Sequence, residues 1–143
     1  MKAIEDIIFS EEELAMPAIV EGKKDAKALN SLGLNNVIPI NGQPLASFVA
    51  RLHADGVKEM AILTDFDPEG KKLHARLKGL AQGYRIKVNG NLRHKLMQTG
   101  KTRIEDFGNF EIGRGGYNGE TGSYFHKVHN QGLPESQRRS GKA

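Results

Sequence analysis

The sequence predicts an α/β layered domain with a mainly parallel four-stranded sheet flanked by helices. Three observations carry that expectation. Short apolar runs alternate along the chain with segments whose apolar residues recur at helical spacing. Gly, Pro or Asn-Gly stands at most of the changeovers. The resulting order, strand then helix four times over, suits crossover connections between parallel strands better than hairpins.

Residues 4–14 are expected to form an N-terminal helix, with Ile4, Ile7, Ile8 and Leu14 on one side and acids on the other. Ala18-Ile19-Val20, bounded by Pro17 and Gly22, reads as a buried strand. DAKALNSLG (25–33) follows as a short helix stopped by Gly33. Val37 to Ile40 is a second strand, closed by the turn pair Asn41-Gly42. Between Pro44 and Ala54, Leu45, Phe48, Val49 and Leu52 mark a helix ended by Gly56. The third strand runs from Met60 to Thr64. Pro68 suits the first turn of the next helix, with Asp67 as its N-cap and Leu73, Leu77 and Leu80 as its inner stripe up to Gly83. Tyr84 to Val88 alternates like a half-exposed fourth strand, and Leu92, Leu96 and Met97 place a last helix before Gly100.

From Gly108 the character changes. Residues 108–143 hold eight glycines and no useful period, so the expected division is a folded domain over 1–107 and a glycine-rich basic and aromatic tail over 108–143. The aromatics Phe110, Tyr117, Tyr124 and Phe125 lie among Gly, Arg and Lys. Such a tail could stack on unpaired bases or pack loosely on the domain.

Composition narrows the class. With 38% hydrophobic residues in 143, one ordinary globular core is expected. The longest apolar stretch is far short of a bilayer span, so neither a membrane helix nor membrane association is expected. There is no cysteine, which removes thiolate metal sites and cysteine nucleophiles and is compatible with a cytoplasmic setting. Charge is strongly asymmetric. Residues 1–69 carry six Lys/Arg against twelve Asp/Glu, whereas residues 70–104 hold ten Lys/Arg and no acid. A basic block of that length points to a polyanion, nucleic acid first.

The acids concentrate where chemistry would sit. Asp65, Asp67 and Glu69 occupy alternate positions just beyond the third strand, and Glu21 follows the first strand directly. In a parallel sheet the carboxyl ends of the strands share one rim, where such folds place their sites. Asp67 as a helix cap, Asp65 in a turn and Glu69 against a helix dipole would explain each acid singly. Together, three close anions opposite a fourth would repel unless a hard cation lay between them. A divalent ion held by Glu21, Asp65, Asp67 and Glu69 is therefore expected. The histidines do not compete: His53, His74 and His94 stand alone, and His126 and His129 fall in the tail.

IVEGKKD (19–25) and ILTDFDPEG (62–70), one at each of two βα junctions, resemble the two motifs of the Toprim domain. The resemblance covers roughly residues 15–105. It implies a Toprim-like fold, a Mg²⁺ cofactor with Mn²⁺ as the alternative, and phosphoryl-transfer chemistry on nucleic acid. By position, Glu21 matches the family's glutamate, a general acid/base or metal ligand. Asp65 and Asp67 match its Asp-x-Asp metal pair. Lys71 stands where type IA topoisomerases often have another acid. The two segments look still more like the 5S-rRNA maturation ribonuclease and its small relatives. The tyrosine-bearing cleavage domain of topoisomerases and the cysteine-bound zinc of primases are missing here.

Two function classes follow. One is a metal-dependent nuclease of RNA-processing type, RNA preferred over DNA, with Glu21, Asp65 and Asp67 catalytic and Lys23, Lys24, Lys71 and Lys72 contacting phosphate. The other is a non-catalytic module that binds RNA, DNA or a ribonucleoprotein such as a ribosomal particle, using the metal only to bridge to phosphate. A haloacid-dehalogenase-type phosphatase shares the Asp-x-Asp signature. It ranks last, because residues 70–104 offer no acid to complete its metal site.

Overall fold

The computed structural model describes residues 1–109 and realises the expected alternation as a four-stranded sheet. The strands are β1 (Ala18–Val20), β2 (Val37–Pro39), β3 (Glu59–Ile62) and β4 (Lys87–Val88). Their order is β2-β1-β3-β4 and every pairing is parallel. The connecting helices are α2 (Lys23–Ser31), α3 (Leu45–Ala54) and α4 (Pro68–Gly83), preceded by α1 (Glu11–Ala15) and followed by α5 (Asn91–Met97). A 3-10 helix at Ile104–Asn109 ends the described chain.

The two-residue period of a strand sorts the core into two layers. Ala18 and Val20 of β1, with Ala61 and Leu63 at β3, face a layer built with Leu29 of α2, Leu92 and Leu96 of α5, and Ile104 and Phe107. Ile19, Met60 and Ile62 face the opposite layer, with Phe48, Val49 and Leu52 of α3 and Leu77 and Ala81 of α4. Covering both faces is what an all-parallel sheet requires. Each fully buried Leu, Ile or Phe stabilises the fold by about 1.5–3 kcal/mol.

Five local expectations are corrected. The N-terminal helix is broken in two, a 3-10 helix at Ile4–Asp6 and α1, because Ser10 takes the cap position. Its hydroxyl accepts from Glu13 N–H at 3.0 Å, while Glu13 reaches back to Ser10 N–H at 2.9 Å, a capping box. The break turns Ile8 out to solvent, whereas Ile4, Ile7 and Leu14 are buried as expected. The third strand begins one residue earlier and ends at Ile62, though Leu63 N–H still donates to Ile19 carbonyl at 2.7 Å. The fourth strand shrinks to two residues, since Arg85 adopts a positive φ of 60° that no strand accommodates. Met97 is exposed rather than inward. Gly108 belongs to the terminal 3-10 helix and packs on Ala28, while Phe110, Tyr117, Tyr124, Phe125, His126 and His129 lie outside the described residues.

Helix α4 begins as the sequence requires, with Pro68 at its first position and Asp67 as cap. Its third residue, Gly70, lies against the Asp65 backbone, where a Cβ would overlap the Asp65 carbonyl. Thr64 hydroxyl donates to Gly70 carbonyl at 2.7 Å and closes the same junction. Gly79, in the same helix, has open space around it. Gly70→Ala is expected to destabilise the protein by about 1–3 kcal/mol through overpacking. Gly79→Ala is expected to stabilise it by up to about 1 kcal/mol through helix propensity. Chemical denaturation of the two variants beside the parent checks the contrast.

Candidate metal centre

The strand order decides where the acids meet. From β1 the chain steps outward to β2, then returns past β1 to β3, so the winding reverses between β1 and β3. Open α/β sheets place their ligand crevice at that switch point, beyond the carboxyl ends of the strands. Ile19 pairs with Ile62, so Glu21 and Asp65 leave neighbouring strands at similar height. Asn41, in the turn after β2, donates its N–H to Glu21 carbonyl at 2.9 Å and fixes that exit.

The crevice is an open cleft of about 490 Å³. Glu21, Asp25, Asp65 and Glu105 supply its acids, and Lys23 and Lys24 line it from the start of α2. Arg103 and Glu105 reach it from the segment after α5, and Asn41 closes the remaining side. Lysines in the first turn of a helix oppose its dipole. The helix does not need Lys23 and Lys24 there, but an anion in the cleft would.

Backbone donors hold the aspartates. Asp65 Oδ1 accepts from Ile104 N–H at 2.8 Å, and Asp67 Oδ1 accepts from Gly70 N–H at 2.8 Å. In each case Oδ2 accepts no hydrogen bond from the described residues. Arg93 of α5 clasps the junction from behind. Its guanidinium donates to the carbonyls of Ile62 at 3.1 Å, Thr64 at 2.9 Å and Asp65 at 3.3 Å, and lies 4.9 Å from the Phe66 ring centroid. Five donors in a rigid fork suit that task; a lysine could not make these contacts together.

The acids act on one another. Glu21 is exposed by area, yet partial desolvation at the cleft wall raises its carboxyl above the ordinary value, with Asp65, Asp25, Asp67 and Glu69 adding to the rise. Asp25 is raised by burial and then by Asp65, against a weak hydrogen bond from Gly22 N–H at 3.4 Å and the charge of Arg103. Negative charge is thus in excess, the condition a divalent cation relieves.

The expected residues are not all equal partners. Among the described residues, no three His, Asp or Glu side chains converge as a ready metal cage. Glu21 and Asp65 share the cleft, whereas Asp67 is turned into its capping bond and Glu69 is exposed on the first turn of α4. A hard ion such as Mg²⁺ takes one or two carboxylates and keeps waters, so hydrated coordination through Asp65 and Asp67 fits the oxygen donors present. Lys71 and Lys72 are exposed on α4 and do not line the cleft. Asp25, Asn41, Arg93, Arg103 and Glu105 were not expected at the site. Asp25, the last residue of IVEGKKD, and Asn41, of the turn after the second strand, carried a local sequence mark; the others reach the site through tertiary contacts.

Comparison with known proteins agrees with the fold. The Toprim domain model matches residues 17–91. A UPF0292 protein of Thermococcus sibiricus is 33% identical over 105 residues, covering 73% of this chain and 82% of that protein. Another from Methanocaldococcus jannaschii is 34% identical over 110 residues, covering 74% and 82%. A solved protein from Aquifex aeolicus shares 27% identity, with a TM-score of 0.61 over 72% of this chain and 93% of its own. These likenesses support the Toprim resemblance and leave the narrower one, to the 5S-rRNA maturation ribonuclease, without support.

Because the Glu21 pKa is raised in the fold, its ionised form is the one the fold disfavours. That cost is present above the raised pKa and vanishes as pH falls below the ordinary 4.5. Glu21→Gln is therefore expected to stabilise the metal-free protein at pH 7 by no more than about 0.5 kcal/mol, solvent screening keeping it small. The gain disappears on acidification, and thermal melts in EDTA across that pH range read it. Arg93→Ala strands three carbonyls and is expected to cost about 2–3 kcal/mol, measurable by urea unfolding.

Proposed function

This chain belongs to the Toprim family, and from that premise we propose that it is a Mg²⁺-dependent nuclease or related phosphoryl-transfer enzyme acting on nucleic acid, RNA before DNA. The observation that carries the reading is the meeting of Glu21 and Asp65 in one cleft at the β1/β3 switch point, with Asp67 two residues beyond. The Toprim resemblance makes such a site one for phosphate chemistry.

Asp65 and Asp67 would hold the cation through their Oδ2 oxygens, with Glu69 as an outer partner. A bound Mg²⁺, or Mn²⁺, supplies charge neutralisation at a phosphate and activation of a water. Glu21 has the proton affinity for the remaining task. A carboxyl raised by partial desolvation, and further by its acidic neighbours, can take a proton from the attacking oxygen or return one to the leaving oxygen. Lys23 and Lys24 on the cleft wall meet the flanking phosphates, and Arg93 keeps the Asp65 backbone in place without touching substrate. Lys71 and Lys72 extend the basic surface outside the cleft. A cytoplasmic RNA or ribonucleoprotein is the partner this reading favours. Among the described residues no helix is long and apolar enough to cross a membrane.

One observation favours a second reading, a binding module without turnover: the carboxylates do not form a closed three-residue cage. Both readings meet the same assay, labelled RNA and single-stranded DNA incubated with the protein in Mg²⁺ or EDTA. Cleavage only in Mg²⁺ is expected, abolished by Asp65→Ala and slowed about 10²–10⁴-fold by Glu21→Gln. Binding without cleavage, unchanged in Asp65→Ala, would establish the module instead.

A further inference from the structure

The terminal segment adds a cation that lies beyond the matched domain. Residues 17–91 carry the family match, yet Arg103 lines the same cleft as Lys23 and Lys24. The segment is firmly seated. Ile104 and Phe107 are fully buried, Ile104 N–H holds Asp65 Oδ1 at 2.8 Å, and Phe66 N–H donates to Thr102 carbonyl at 2.8 Å. Arg103 is therefore presented from a fixed backbone. Its side chain is 58% exposed and pairs with Glu105 at 2.8 Å. An exposed pair between residues two apart holds its arginine only weakly. A phosphodiester offers the same fork a bidentate partner.

We propose that Arg103 is a phosphate-binding residue that leaves Glu105 to grip the nucleic-acid backbone in the cleft that Lys23 and Lys24 also line. The strand is then held by cations from two elements, the start of α2 and the segment after α5, beside Glu21 and Asp65, and Glu105 competes with it for the guanidinium. This rests on the nucleic-acid reading above, with the roles separable by experiment. Glu105 also lines a second cleft along α2 with Lys24, Lys27, Ser31 and Asp106, whereas Arg103 lines the metal cleft alone of the two.

The probe is a short fluorescein-labelled single-stranded RNA, followed by anisotropy in EDTA from about 50 to 200 mM KCl. The parent is expected to bind with a salt-dependent slope. Arg103→Ala is expected to weaken binding about 5–10-fold and flatten the log–log salt slope by about 0.7, the loss of one phosphate contact. Arg103→Lys should retain the slope at reduced affinity, and Glu105→Gln should tighten binding by releasing the arginine. Lys24→Ala is the control for the α2 side of the same cleft. If Lys24→Ala weakens binding while Arg103→Ala matches the parent in affinity and slope, the Arg103 role is overturned and the nucleic-acid reading stands. If the parent itself shows no salt-dependent binding, both fall. Neither outcome depends on folding of the Ala variant alone, since Glu105→Gln must independently raise affinity.

Discussion

The pairing of β1 with β3 is the constraint on which the rest depends. Two parallel strands carrying Ile19 opposite Ile62 bring Glu21 and Asp65, far apart in sequence, to one rim. A slip of one residue would send Val20 and Leu63 to the wrong layers of the core and rotate the acids away from each other. Burial on both faces makes that slip prohibitive, because Ala18, Ile19, Val20, Ala61 and Leu63 are wholly inaccessible to solvent. Core packing and site geometry are thus one constraint, enforced by hydrophobic burial rather than by the acids. The acids by themselves would push the strands apart.

Charge is managed by groups behind the site as much as within it. Arg93 is half-buried, and among the described residues its close partners are three carbonyl oxygens, the Thr64 hydroxyl and the Phe66 ring, none of them an anion. Burial lowers its proton affinity while the Asp65 charge supports it. The cost of seating a cation there is met by three carbonyls at the end of β3 that no strand partner uses. A contrasting arrangement holds the far end of the molecule. Burial would raise Glu13, but the hydrogen bond from Lys95 at 2.6 Å and those from Ser10 outweigh it and lower the carboxyl. Glu13 is a satisfied structural acid; Glu21 is an unsatisfied one. The difference between them marks which end of the fold awaits a partner.

The segment after α5 completes the cleft. It turns back across the sheet rim, buries Ile104 and Phe107 against α2, and fixes Asp65 through a backbone amide. A carboxylate tied by one oxygen to a neighbouring backbone N–H is oriented, which leaves the other oxygen aimed rather than free to rotate. Removal of this segment would open the α2 layer of the core and loosen Asp65 together. Stability and site orientation share the same few residues.

The sequence by itself determined the layers. Alternating apolar runs set four parallel strands, Pro68 and Asp67 set the start of α4, and Glu21, Asp65 and Asp67 were legible because strand ends are local features. Where the reading failed, a local competitor won: the Ser10 capping box broke the first helix, and the positive φ at Arg85 shortened the fourth strand. Tertiary structure alone decided that β1 lies beside β3. It also decided that Arg93 clasps three carbonyls, that Ile104 orients Asp65, and that Asn41, Lys24 and Arg103 line one cleft. Periodicity reports which face of an element is buried, but carries no information on which element lies opposite. Contacts between residues 39 positions apart, as between Ile104 and Asp65, arise only when the whole chain collapses.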